Sequence, residues 1–149
     1  MHAAVTDVAY WRARVAAVGG RRATVDSADV ADGGIVIRVT QTISADYLPS
    51  VVRKIRSGDL TVQRTETWGA LDGTSASGTF AAIVAGSPIK MRGTHSLSGD
   101  DESCTSLSTG DAYVSVPLIG GKIEQIIAEH LGELLIIEQR FTEQWLAEH

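Results

Sequence analysis

Cysteine, lysine and long apolar runs are scarce in this chain, and each scarcity excludes something. A single cysteine, Cys104, in 149 residues leaves no internal disulfide. It fits a reducing compartment, so the expected location is cytoplasmic. No histidine or basic cluster sits beside Cys104 in sequence, which makes it a small buried or half-buried filler rather than a reactive thiol. Lysine occurs only at Lys54, Lys90 and Lys122, and the net charge of -5 argues against nucleic acid as a partner, whose phosphates want a basic face. No apolar run reaches the ~18–20 residues needed to span a bilayer, so integral membrane association is not expected. The opening MHAAVTDVAYWRARV also lacks the cationic start and apolar core of a signal peptide. Motifs for metals and nucleotides are missing too. There is no HExxH and no cysteine pair, and His2, His95, His130 and His149 are scattered. The pairs Gly19-Gly20, Gly33-Gly34 and Gly120-Gly121 suit turns and have neither GxGxxG nor Walker spacing. No GxSxG elbow is present. The expectation is no metal and no cofactor.

What remains is an ordinary globular composition, 44% hydrophobic and 21% charged, consistent with one domain over residues 1–149. Its clearest element is the final stretch from Gly120 to His149. Ile123, Ile127, Leu131, Leu134, Phe141 and Trp145 recur at three- and four-residue steps and share one side of a helix over 120–148. Residues 1–18 carry a second helical pattern, with Val8, Trp11, Val15 and Val18 on one side. Thr6-Asp7 would split it into a short pair. Between these helices, residues 22–116 read as antiparallel strands. The segments are Arg22–Asp26, Ile35–Ile43, Leu60–Trp68, Thr79–Val84, Met91–Leu97, Ser103–Leu107 and Ala112–Val116, with turns such as Asp32-Gly33-Gly34 between them. A small helix is expected within Ser44–Gly58, near 47–57, capped by Ser44 or Asp46 with Pro49 in its first turn. Consecutive strands with short links and segregated helices define the α+β class.

Strand parity then places charge inside. In Leu60–Trp68, Thr61, Gln63, Thr65 and Thr67 form a solvated face, so Leu60, Val62, Arg64, Glu66 and Trp68 point inward. His95 shares the parity of Met91 and Leu97. On the C-terminal helix, Glu138 lies between Leu134, Phe141 and Trp145, and His130 lies near Ile123 and Ile137. Glu138 has two readings: a buried carboxylate with a raised pKa, or one held by Arg64, Arg38 or Arg92 across the sheet.

Several segments together resemble a known family. They are Tyr10-Trp11 followed by Gly19-Gly20, Leu48-Pro49, Thr65-Glu66-Thr67-Trp68, Gly86-Ser87-Pro88 and the closing VPLIGGKIEQIIAEHLGELLIIEQRFTEQWL. The chain is similar along its whole length to an actinobacterial family known as domain of unknown function 2505, of the START-like (SRPBCC) superfamily. That resemblance implies a helix-grip fold, in which a curved antiparallel sheet wraps around a long C-terminal helix. It also implies a cavity between them for apolar ligands. Helix-grip domains usually begin with a strand ahead of the short helices. Here the helical pattern of residues 1–18 comes with no strand before it, which would leave a sheet edge open to homodimerisation.

The leading expectation is therefore a binder of an apolar or amphipathic small molecule, lipid-, polyketide- or isoprenoid-like, held between sheet and helix. Val62, Trp68, Leu134, Phe141 and Trp145 would form the wall, with His130 at the mouth. Arg64, Glu66, His95 and Glu138 would orient the ligand's polar end. The first alternative is a START-like enzyme of cyclase, dehydratase or hydrolase type, with Glu138 or His95 as acid or base. The second is a protein-interaction module with a collapsed cavity and an exposed apolar patch.

Overall fold

Thr6 and Asp7 end one helix and start the next, as their side chains dictate. In the computed structural model, which describes residues 1–55 and 57–149, α1 spans His2–Val5 and α2 spans Val8–Gly19. The Asp7 carboxylate caps α2 by accepting the Ala9 N–H at 2.8 Å. Six strands follow: β1 (Ala23–Ala31), β2 (Gly34–Ile43), β3 (Leu60–Trp68), β4 (Ser75–Val84), β5 (Ile89–Gly99) and β6 (Cys104–Val114). A short α3 (Ser50–Ile55) separates β2 from β3, and α4 (Gly120–Glu148) closes the chain. The strands form one antiparallel sheet in simple sequence order, with β1 and β6 at its edges. With α2 and α4 laid against it, the arrangement is the α+β helix-grip fold.

The strand boundaries differ from expectation in two instructive places. β1 continues past Asp26 to Ala31 because a bulge between Val25 and Ser27 absorbs that residue. The Asp26 carboxylate accepts hydroxyl hydrogen bonds from Thr24 and Thr40, so the irregular position stays satisfied. The segments Ser103–Leu107 and Ala112–Val116 are one strand, β6, rather than two, and Cys104 at its start on the sheet edge is exposed rather than buried. The Ser108–Asp111 stretch resembles a turn, yet it pairs residue for residue with β5, Gly110 opposite Gly93. Those two glycines are needed there. A Cβ on either would run into the Phe80 ring, which lies across both strands on the inner face.

The segment expected as one helix within Ser44–Gly58 is a 3-10 turn over Ala45–Tyr47 followed by α3, with Ser44 Oγ accepting the Asp46 N–H at 3.4 Å. Arg56, in the same expected segment, lies outside the described residues.

Two apolar clusters anchor the ends of the grip. One packs Tyr10 and Trp11 of α2 against Ile35, Ile37 and Trp68, with Phe141 and Trp145 of α4 at its margin. The other joins Val52 of α3 with Leu60, Val84, Ile89, Val114 and Ile123. Each conceals large side chains at an end of α4. At ~1.5–3 kcal/mol per buried aliphatic or aromatic side chain, they supply the main driving force for docking the helix. Between them the seal loosens: Ile127, Leu131 and Leu134 are only half-buried, although they lie on the helix side facing the sheet.

Candidate functional site

The inward parity of β3 brings Arg64, Glu66 and Trp68 under the middle of α4, and the helix supplies Glu138 from above. The Glu138 carboxylate receives Arg64 Nη1 at 2.7 Å and Nη2 at 3.2 Å, a two-pronged hydrogen bond across the cavity floor. Arg14 of α2 closes the other side of Glu138 through its Nη2 and stands 3.7 Å from Glu66. Its guanidinium also stacks on Trp11, 4.6 Å from the ring centroid. Arg64 Nη2 touches Glu66 Oε2 as a charge contact off the hydrogen-bond direction. Arg14, Glu66 and Glu138 are buried, at 7%, 2% and 7% exposure, which makes this a desolvated cluster of two guanidinium and two carboxylate groups.

Burial by itself would raise both glutamates. For Glu66, the adjacent Arg64 and then Arg14 outweigh that effect and hold the carboxyl well below its usual range. For Glu138, Arg14 and then Arg64 do the same, against a smaller opposing push from Glu66. The guanidinium groups respond in kind. Burial lowers Arg14 and Arg64, and the facing glutamates more than restore them. Glu138 is thus a charged, clamped carboxylate.

Of the three partners proposed for Glu138 from sequence, Arg64 is in place. Arg38 lies outside with Asp29 at 3.3 Å, and Arg92 bonds the Tyr113 hydroxyl. Arg14 was not expected as a partner. Its signal was present: it stands three residues after Trp11 and four before Val18, on the stripe that α2 buries.

The ion cluster divides the space under α4. On the α3 side is a cavity of about 230 Å3 with mostly apolar walls, among them Leu48, Val52, Val62, Phe80, Met91, Leu131 and Leu134. Arg64 is the one member of the cluster that reaches its lining. His130 stands at the rim, exposed, with Nδ1 2.8 Å from the Ile126 carbonyl oxygen. On the α1 side is a more polar cleft of about 220 Å3, lined by Arg14, Glu66, Trp68, His95, Ser106, Ser108 and Glu138. Here His95 shares a hydrogen bond between Nδ1 and Ser108 Oγ at 2.7 Å, and its Nε2 lies 3.3 Å from Glu66 Oε1. Its ring stacks on Trp68 at 5.3 Å between centroids. The stacking is possible because Gly78, on the strand between them, puts no side chain in the way.

The expected site residues therefore fall into three groups. Val62, Arg64, Leu134 and His130 belong to the apolar cavity. Glu66, Trp68, His95 and Glu138 belong to the cleft. Phe141 and Trp145 line neither of these two spaces and pack edge-on or tilted against Tyr10 instead. Leu48 and Val52, whose inward side the helical spacing of that segment already implied, complete the cavity together with Phe80 and Met91, which alternation alone does not distinguish from core. No cluster suited to a metal ion occurs among the described residues.

This whole arrangement lies within a recognisable sequence family: the profile of the protein family of unknown function DUF2505 matches residues 1–146. The chain belongs to that family. Relatives include uncharacterized proteins of Mycobacterium tuberculosis and Mycobacterium bovis, each 36% identical over 98% of this chain and 88% of its own length. No solved structure matches the chain. Among the described residues, no helix is long and apolar enough to cross a membrane.

Proposed function

We propose that the protein is a START-like small-molecule carrier or sensor that holds an apolar or amphipathic ligand between β3–β5 and α4. The observation that carries this reading is the cavity of about 230 Å3 left open under a helix whose two ends are tightly sealed. A well-packed interior leaves few voids larger than a water molecule. An apolar cavity of about 150 Å3 is already enough to take up a benzene-sized guest. Ala82, buried on β4 directly opposite both Arg64 and Met91, keeps the space open by being small. The open cavity favours ligand binding over the interaction-module reading, which calls for a collapsed one. The clamped Glu138 suits a structural and ligand-orienting role better than proton transfer, because a carboxylate held below its usual range is a poor acid at neutral pH.

The test combines ligand extraction with a filling mutation. Native mass spectrometry of the purified protein is expected to retain an apolar guest, and Nile red is expected to bind saturably. Ala82→Leu should abolish both while leaving the circular dichroism spectrum and melting temperature intact or improved. Saturable binding that survives Ala82→Leu unchanged, or no binding in the wild type, refutes the reading.

For partners, a homodimer through β6 is the matching proposal. β1 protects its edge with a bulge and with Asp26 and Asp29, whereas β6 offers an eleven-residue, Ser- and Thr-rich edge.

A further inference from the structure

The charge balance at the inner end of the apolar cavity restricts what its occupant can be. Among the described residues, Arg64 is the permanent charge in that lining, and a free guanidinium there would attract a fatty acid's carboxylate. It is not free: Nη1 and Nη2 are committed to Glu138, and Nη2 also contacts Glu66. Arg14 is spent on the same two carboxylates from the other side. Two positive and two negative groups therefore cancel before any ligand arrives, and the cluster has no countercharge to lend. A carboxylate pushed against it would be an uncompensated charge in a water-poor site, the costliest kind of burial.

Neutral polarity is nevertheless available. Beside Arg64 in the lining stands Gln41, on the neighbouring strand and paired with Val62. Its amide offers one acceptor oxygen and two N–H donors. Among the described residues, the other ionisable side chains of the lining, His130 and Tyr47, are exposed at the rim. A hydroxyl or carbonyl oxygen can pair with that amide and adds no charge.

We infer that the cavity selects neutral ligands with an uncharged oxygen at one end, alcohols or ketones on an apolar body, and discriminates against carboxylates. This rests on the cavity reading above and adds the chemical class of the occupant. An amphiphile that instead left its head group at the rim beside His130 would show no such discrimination.

The experiment measures decanol, decanone and decanoate by displacement of Nile red at about pH 8, above the ordinary imidazole range. Decanol and decanone are expected to bind at least about tenfold more tightly than decanoate, a gap of ~1.4 kcal/mol. In Glu138→Gln the cluster carries one uncompensated positive charge, so decanoate should gain on decanol by about fivefold or more. Equal affinities in the wild type overturn the inference while leaving the cavity reading intact. A wild-type preference that Glu138→Gln leaves unchanged also overturns it, because ordinary desolvation of the acid then explains the gap. Should that variant not fold, Glu66→Gln makes the same change of charge on the other carboxylate. Failure of all three compounds to displace the probe refutes the cavity reading itself.

Discussion

Replacing Glu138 by glutamine removes one of the two carboxylates that balance Arg14 and Arg64, at nearly constant volume. In the wild type its oxygens receive both Arg64 Nη groups, at 2.7 and 3.2 Å, and Arg14 from the opposite side. Breaking one partner out of a buried ion pair costs ~3–5 kcal/mol, and the glutamine oxygen can still accept one bond, so about 3 kcal/mol is expected. That is a large share of the ~5–15 kcal/mol that stabilises a domain. With a urea slope of ~2 kcal/mol/M, the unfolding midpoint should fall by ~1.5 M. Glu133→Gln, an exposed glutamate on the same helix, is the control and should stay within about 0.5 kcal/mol of wild type.

The pH dependence supplies a second readout with a defined sign. Glu66 and Glu138 are both held below the ordinary glutamate value of ~4.3, so at mildly acidic pH the unfolded chain binds more protons than the folded one. Their stabilisation is present above that value and is lost as pH falls through the folded pKa values. Wild type should therefore weaken progressively below about pH 5, and Glu138→Gln should weaken with a shallower slope because one of the two groups is gone. A variant within about 1 kcal/mol of wild type at neutral pH, with the same acid slope, would refute the clamped cluster.

Gly93→Ala should destabilise by about 2 kcal/mol in the same urea assay, because its methyl meets the Phe80 ring and the Thr109 carbonyl oxygen. A neutral outcome would mean that Phe80 does not lie across the glycine pair. At high concentration the protein should sediment partly as a dimer. Leu107→Lys, on β6 where Leu107 is 62% exposed, should shift it to monomer without lowering stability. A wild type that stays monomeric throughout the concentration range sinks the β6 edge proposal.

Much of this architecture could be read from local pattern. The three-to-four spacing from Ile123 to Trp145 marks α4, and the threonine-rich parity of β3 already turns Arg64 and Glu66 inward. Asp32-Gly33 marks the β1–β2 hairpin through its two positive-φ residues. Less legible was β6, where Ser-Thr-Gly-Asp has turn chemistry. The tertiary context overrides it: Gly93 and Gly110 must face each other to admit Phe80. Arg14 was equally hidden, because a charged residue on an apolar helix stripe resembles an interruption until the carboxylates it meets are known.

The sequence by itself determined which side chains face inward, because the periods of helix and strand depend on backbone geometry alone. It therefore delivered three members of the ion cluster, Arg64, Glu66 and Glu138, whereas Arg14 emerged only with the structure. Only the tertiary structure decided their pairing, since Arg14, Arg64, Glu66 and Glu138 come from α2, β3 and α4 and meet through the docking of those elements. It also decided that Phe141 and Trp145 pack with Tyr10, while Leu131 and Leu134 look onto open space. An apolar residue on an inward face is equally suited to a core or to a cavity wall. The difference lies in how closely the opposite surface approaches, and no local pattern encodes that distance.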